Sequence, residues 1–347
     1  MIRFLIKKPD IKVYLNYPEF CYKTLFLQPQ LNQKQSIMIW NPSEGINIGF
    51  FTIRFYSLMF VIAFGLGWYI MKHIFIREKE PIEKLDTLFI WTVIATLLGA
   101  RLGHVFFYDW EYYRNNLLEI LLPFKFNPQF EFTGFQGLAS HGAAIAIIIT
   151  MYFYSTKIIK RPILWVLDRV VIPVASGAIF VRIGNFFNSE IVGKVTDSPF
   201  GIKFVRDYYS SKEVVSLTQI SNVNKAYHAL VTDPKYAALV EKIPIKHPAQ
   251  LYEAFAYVFV FLILFLLYWK TKTAEKHGLI FGYFLILLWS VRFVVEFVKE
   301  SQGGIENIFG LFSTGQWLSI PFILVGIYYL FVAEKPFEDE LQKVNQK

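Results

Sequence analysis

At 347 residues, 54% of them hydrophobic and only 18% charged, the chain carries more apolar side chain than a soluble domain of this length usually holds. Its formal charge of +8 would raise nucleic acid as a partner, but no basic helix or aromatic-basic platform accompanies it, so nucleic acid is excluded. The single cysteine, Cys21, excludes an intramolecular disulfide, a cysteine zinc site and a cysteine nucleophile in the apolar part of the chain.

Residues 1–37 scatter five lysines among short apolar pieces and hold no run long enough for a signal peptide or a span. They read as an N-terminal extension outside the core, which is expected over 38–334 with a tail at 335–347. Seven segments then meet the length of a spanning helix: Phe51 to Phe75, Leu85 to Tyr108, Leu138 to Ile158, Leu164 to Phe187, Pro248 to Trp269, Leu279 to Val298 and Gln316 to Val332. The expected fold class is an all-α integral membrane protein with seven transmembrane helices. Loops after the first, third and fifth segments carry Lys72, Arg77, Lys79, Lys84, Lys157, Lys160, Arg161, Lys270, Lys272 and Lys276, and the tail adds Lys335, Lys343 and Lys347. The alternate short loops hold only Arg114, Lys125 and Lys299. The asymmetry predicts an outside N-terminus, a cytoplasmic C-terminus and an extracytoplasmic head segment over 188–247. Membrane lipids are then the solvent of the spans.

Charged side chains inside spans are costly, by roughly 2.5–3.5 kcal/mol each on insertion scales, so each asks for a reason. Span one holds Arg54 and Tyr56, and span two holds Arg101 and His104. His141 opens span three, span four holds Asp168 and Arg182, span five opens with HPAQLYE, and span six carries Arg292 and Glu296. Asp168, close to Lys160 and Arg161, reads as structural. Arg101 stays a functional candidate, with a snorkelling cation as its plainer reading, and His104 fits a packed polar residue. Six scattered histidines suggest no metal, and nothing in the pattern calls for a cofactor. His141, Arg182, Gln250, Glu253, Arg292 and Glu296 all fall near the outer ends of their spans.

The stretch Val181 to Gly201 differs in kind. It gathers Arg182, Asn185, Asn188, Glu190, Lys194 and Asp197 among Gly184, Gly193 and Gly201. A cation and amides supply donors for an anionic headgroup. Glu190 can orient the cation, and glycines permit close backbone approach where a helix ends.

At these residues the sequence resembles the prolipoprotein diacylglyceryl transferase family, whose Gly-Arg-x-Gly-Asn-Phe-x-Asn-Gly-Glu signature matches Arg182, Gly184, Asn185, Phe186, Asn188 and Glu190, with Gly193 beyond. Val181 and Ser189 stand where the signature has glycines, and Lys194 where an arginine is usual. IRFYSLMF, ARLGHVFFY, SHGAA, HPAQLYE, RFVVEF and FSTGQWLS extend the resemblance in order along Met38 to Val332. The resemblance implies transfer of the diacylglyceryl group of phosphatidylglycerol to the lipobox cysteine thiol of preprolipoprotein signal peptides, giving a thioether and glycerol phosphate. It also marks Tyr56, His141, Arg182, Asn185, Glu190, Gly193, Arg292 and Glu296 as functional positions. His141, Arg182 and Arg292 are the expected catalytic residues; Tyr56, Asn185, Glu190, Gly193 and Glu296 are the expected substrate-binding residues.

Such chemistry needs a thiolate from a thiol of pKa roughly 8.5 and fixed cations for a departing phosphate. Arg182 and Arg292 suit the phosphate because guanidinium donors match its oxygens and stay charged. Glu190 and Glu296 are expected to hold the two arginines in register. His141 is the base by residue type, with arginine-assisted activation as the alternative. Many members carry a tyrosine one turn before the span-six arginine; here Leu288 stands there, followed by Trp289. Two other classes fit less well. A transporter would show acidic relays or paired broken helices. An intramembrane serine protease would need more than Ser140 beside His141, since neighbours on a helix do not face each other.

Overall fold

A computed structural model describes residues 37–49, 52–122, 124–125, 130–132, 137, 139–300 and 312–333. The expected extension, Ile37 apart, and the expected tail lie outside these residues. Seven apolar helices carry the fold: α1 (Phe55–Arg77), α2 (Ile82–Phe107), α3 (Ser140–Phe153), α4 (Ile163–Phe187), α5 (Ala249–Lys270), α6 (Leu279–Val295) and α7 (Thr314–Val332). Helix α3 continues as a π-helical turn, Tyr154–Ile159, which Lys160 ends in the left-handed conformation. Among the described residues, six of these helices are long and apolar enough to cross a membrane, while α6 has 17 residues. Hydropathy alone extends that segment to Val298. The helix stops three residues earlier because the chain turns at Glu296 to lay Lys299 beside Gly193.

Neighbours pack as α1 on α4, α2 on α3, α4 on α5 and α6 on α7. Small residues set the closest approach. Gly99 and Gly103, four apart on α2, face Gly142 on α3, and a Cβ at Gly103 would lie 2.6 Å from the Gly142 Cα. Where lipid removes the hydrophobic drive between helices, such backbone contact is what dispersion and shape can use. The main core is aromatic and aliphatic, with Ile74, Phe75, Tyr154, Ile172, Leu264 and Tyr268 among its buried members.

Charges cluster at the end of the bundle where α1, α3 and α5 finish. Arg169 is 2.9 Å from Glu78, whose carboxylate also accepts from the Tyr268 hydroxyl at 2.8 Å. Glu80 pairs with Arg161 at 2.8 Å and with Lys84 at 3.4 Å. Asp168 takes a structural role, as its position suggested: its two oxygens accept from the Gly278 and Phe281 amides at 2.7 and 2.8 Å, capping α6.

Three strands join the other end. β1 (Met38–Trp40) pairs in parallel with β6 (Ile202–Phe204), which pairs antiparallel with β7 (Ile245–Lys246). Two small hairpins, β2 (Gly45–Asn47) with β3 (Thr52–Arg54) and β4 (Phe124–Lys125) with β5 (Glu131–Phe132), complete the strands described. Between β6 and β7, short helices enclose a separate core of Val205, Val214, Ala226, Tyr227 and Leu230. Trp40 of β1 stacks on Phe186 at 4.2 Å and donates its indole N–H to the Phe186 carbonyl at 2.9 Å. The strand thereby pins the last turn of α4.

Candidate functional site

Helix α4 ends in the motif read from the sequence, and local geometry folds that motif back on itself. After Asn188, Ser189 and Ile191 take left-handed φ values of 55° and 60°. The turn returns the Glu190 amide to the Asn185 carbonyl at 3.0 Å and brings the Glu190 side chain within 2.7 Å of the Asn185 amide nitrogen. The Glu190 carbonyl accepts from Gln250 on α5 at 2.6 Å. Ser189 stands where the family signature has glycine, and its φ supplies the reason: left-handed backbone costs an L-residue roughly 1–2 kcal/mol that glycine escapes.

Arg182, one turn before the end of α4, donates to the Asn185 oxygen at 3.0 Å. Its Nε is ion-paired with the Glu253 carboxylate of α5, and Tyr257 shares a hydrogen bond with the same guanidinium. Tyr56, in the first turn of α1, lays its ring on Gly184 and hydrogen-bonds Asn185. A Cβ at Gly184 would sit 2.9 Å from that ring, so the glycine is needed for the contact. Tyr56, Arg182, Asn185, Glu190, Gln250 and Glu253 therefore form one connected network.

The expected arginine partners differ from those observed. Glu190 reaches Arg182 only through Asn185, and Glu253 holds the guanidinium directly. Glu253 is legible as a polar residue of HPAQLYE, but nothing in the sequence says that α5 faces the last turns of α4. Glu296 does not hold Arg292, although the two stand four residues apart. Its Oε2 lies 3.4 Å from the Lys299 ammonium, and its carboxylate rests where a side chain at Gly315 would be. Lys299 belongs by sequence to the short-loop charges, yet it is 5% exposed. Among the described residues no carboxylate lies within ion-pairing distance of Arg292, and its buried Nε has no hydrogen-bond partner.

Gly193 acts through its backbone. It donates to the His247 carbonyl at 2.8 Å, and Lys194 donates to the Val298 carbonyl at 2.7 Å. A Cβ at Gly193 would fall 2.7 Å from both carbonyl oxygens, so only glycine lets these three segments meet.

Both arginines open on a cavity of about 480 Å³ enclosed by α1, α2, α3, α4, α5 and α6. Its walls are apolar, with Phe60, Phe64, Leu88, Phe89 and Val170 prominent, and Arg182 and Arg292 are its charged lining residues. Leu288 and Trp289 also line it, so the position of the missing tyrosine faces this space. A volume of this size falls within the range of small-molecule sites, roughly 300–1,000 Å³. An apolar cavity ending in two guanidinium groups suits an amphiphile with an anionic head. Among the described residues no three His, Cys, Asp or Glu side chains converge as metal ligands.

His141 stands apart from this network. It is exposed at the start of α3, its Nε2 is 2.6 Å from the Tyr108 hydroxyl, and the two rings stack at 5.7 Å. Nearby, His104 is 3.3 Å from Asp109 and lies under Gly137. Arg101 is buried and donates to the Glu119 and Ile120 carbonyls at 2.6 and 2.8 Å, tying the segment after α2 to that helix instead of snorkelling.

Comparison with known proteins bears on this geometry. The family model described as prolipoprotein diacylglyceryl transferase matches residues 44–332. A Bacteroides fragilis protein is 38% identical over 296 residues, covering 84% of this chain and 94% of its own. A Chloroherpeton thalassium protein is 34% identical over 311 residues, covering 89% and 98%, and one from Tolumonas auensis is 33% identical over 300 residues, covering 86% and 98%. All three are named phosphatidylglycerol–prolipoprotein diacylglyceryl transferase. With its apolar helices and the matched span reaching from 44 to 332, this multi-pass membrane protein is an enzyme that belongs to the prolipoprotein diacylglyceryl transferase family.

Proposed function

We propose that the chain transfers the diacylglyceryl group of phosphatidylglycerol to the lipobox cysteine of preprolipoproteins, with the apolar cavity taking acyl chain and Arg182 and Arg292 taking phosphate. The observation that carries this reading is the pairing of that apolar cavity with two guanidinium groups in its lining, one of them without a counterion among the described residues. The thiol sulfur attacks the glycerol carbon that bears the phosphate. A carbon–sulfur bond forms, the carbon–oxygen bond breaks, and glycerol phosphate leaves with the bonding pair. Charge grows on the departing phosphate, where preorganised donors in a site shielded from water stabilise it most. Arg292 is free to meet that charge, while Arg182 is oriented by Glu253 and Asn185.

Tyr56, Asn185 and Glu190 shape the headgroup pocket, Gly193 seats the segments around it, and Glu296 fixes the end of α6. His141 is the proton acceptor by residue type, and its bond to Tyr108 orients the ring. The membrane is the bacterial cytoplasmic membrane. Seven spans, with the N-terminus outside and the C-terminus inside, set the arginine end at the extracytoplasmic face, where a secreted lipobox arrives. The test is direct. Purified protein in phosphatidylglycerol vesicles with a lipobox peptide is expected to yield the thioether-linked diacylglyceryl peptide. Absence of that product beside an active control enzyme overturns the assignment.

A further inference from the structure

We propose that Lys299 is a positioning residue: its buried ammonium engages Glu296 and so keeps the Arg292 guanidinium free for the anionic part of the substrate. The inference rests on the reading of Arg292 as a phosphate clamp.

An arginine and a glutamate four apart at a helix end are neighbours within reach of an ion pair. Here Glu296 is turned away, toward Lys299 at 3.4 Å and onto Gly315 at the start of α7. Glu296 and Lys299 are both buried, at 7% and 5% exposure. A lysine that follows a helix end extends to water unless a partner holds its charge inside. The backbone holds Lys299 in. Gly193 bridges to it, Lys194 bonds the Val298 carbonyl at 2.7 Å, and Glu300 bonds the Val192 carbonyl at 3.2 Å. The glycine of the motif thus seats the segment that carries the lysine.

The charged groups facing Lys299 are Glu296 and Arg292 from α6 and the turn after it, Glu253 from α5 and Arg182 from α4. Three cations meet two carboxylates, Glu253 is committed to Arg182, and Glu296 to Lys299. The remaining cation is Arg292, at the cavity. Without the ammonium, Glu296 has one buried cation within helical reach, and the anion site closes on itself. Burial pushes the Lys299 ammonium below the ordinary lysine range, against the opposing pull of Glu253 and Glu296. An arginine in its place stays charged at every accessible pH.

The experiment measures phosphatidylglycerol binding to the purified full chain, which involves no thiol, for wild type, Lys299→Met, Lys299→Arg, Arg292→Gln and the double variant Lys299→Met with Glu296→Gln. Lys299→Met is expected to weaken binding at least about tenfold. Lys299→Arg is expected to bind like wild type near neutrality and to keep binding at alkaline pH, where the wild type, losing its ammonium, lets go. The double variant is expected to regain binding over Lys299→Met whether or not it transfers, since no carboxylate remains to capture Arg292. Folded Lys299→Met that binds like wild type overturns the proposal, as does a double variant no better than the single one. If Lys299→Met does not fold, coincident alkaline profiles for wild type and Lys299→Arg overturn it. Arg292→Gln that binds normally overturns the phosphate-clamp reading instead, so the two failures are distinct.

Discussion

The two ends of the helix bundle treat buried charge in opposite ways. Where α1, α3 and α5 finish, the buried charges are paired within the fold: Arg169 with Glu78, whose carboxylate also accepts from Tyr268, Glu80 with Arg161 and Lys84, and Asp168 with two backbone amides. Where α4 and α6 finish, Arg292 has no ion pair among the described residues. Single unbonded buried atoms occur at both ends, Arg169 Nε and Trp269 Nε1 at one and Arg292 Nε, Gln250 Oε1 and Glu253 Oε1 at the other, so the difference lies in the ion pair. A buried cation without a counterion is costly, and it marks the place where an anionic ligand completes the site. Charge inside an apolar fold is therefore ambiguous by itself; whether the protein has already satisfied it separates scaffold from site.

The sharpest way to break this comparison is one substitution at each end. Arg292→Gln is expected to lower transfer by about 10²–10³-fold, as removal of a preorganised donor does, with membrane insertion and thermal stability unchanged. Arg169→Gln, which strands Glu78, is expected to cost about 3–5 kcal/mol of stability while the protein that remains folded keeps its turnover. Thermal unfolding in detergent and transfer to a lipobox peptide, measured on both, decide the matter. The same phenotype for the two variants would erase the distinction between the ends.

Glu253→Gln probes the site end less severely. The guanidinium of Arg182 keeps its bond to Asn185 at 3.0 Å but loses its carboxylate. Transfer is expected to fall on the order of 10²-fold, equivalent to roughly 2.7 kcal/mol of transition-state stabilisation. Unchanged kcat and KM would show that Asn185 alone keeps Arg182 in register.

Asp168→Asn probes the scaffold end. It retains one acceptor for the two amides now bound at 2.7 and 2.8 Å, and loses the charge that strengthens both bonds. The expected loss is about 1.5–3 kcal/mol in stability, with activity per folded molecule unchanged. A fall in kcat without a fall in melting temperature would give Asp168 a part in the chemistry.

How much of this is legible in the sequence follows from the range of each interaction. Helix segments are written in runs of local hydropathy, so the seven apolar helices stand within a few residues of where those runs put them. The motif from Arg182 to Gly193 is also local, and its members do meet. What the sequence hides is long-range. Glu253 is 71 residues from Arg182, Lys299 is 106 residues from Gly193, and no spacing rule announces either contact. The Arg292–Glu296 expectation fails for the complementary reason: local spacing permits that pair, but a buried lysine and the closeness of Gly315 decide it otherwise.

The smallest expected effect tests whether local strain at the site end serves the turn or merely survives there. Ser189 has φ 55° and a buried hydroxyl without a partner among the described residues. Glycine at this position relieves roughly 1–2 kcal/mol of left-handed strain and removes a stranded hydroxyl. Against this stands the added freedom of glycine in the unfolded chain, about 0.5–1 kcal/mol. Relief of strain outweighs that freedom, so Ser189→Gly is expected to gain about 1 kcal/mol of stability, seen as a rise in melting temperature, with transfer unchanged. The turn's task is to return Glu190 to Asn185, and glycine can make the same turn. If Ser189→Gly is less stable or less active, the hydroxyl has a partner that the substrate or its water supplies, and Ser189 joins Arg292 in marking this end as the site.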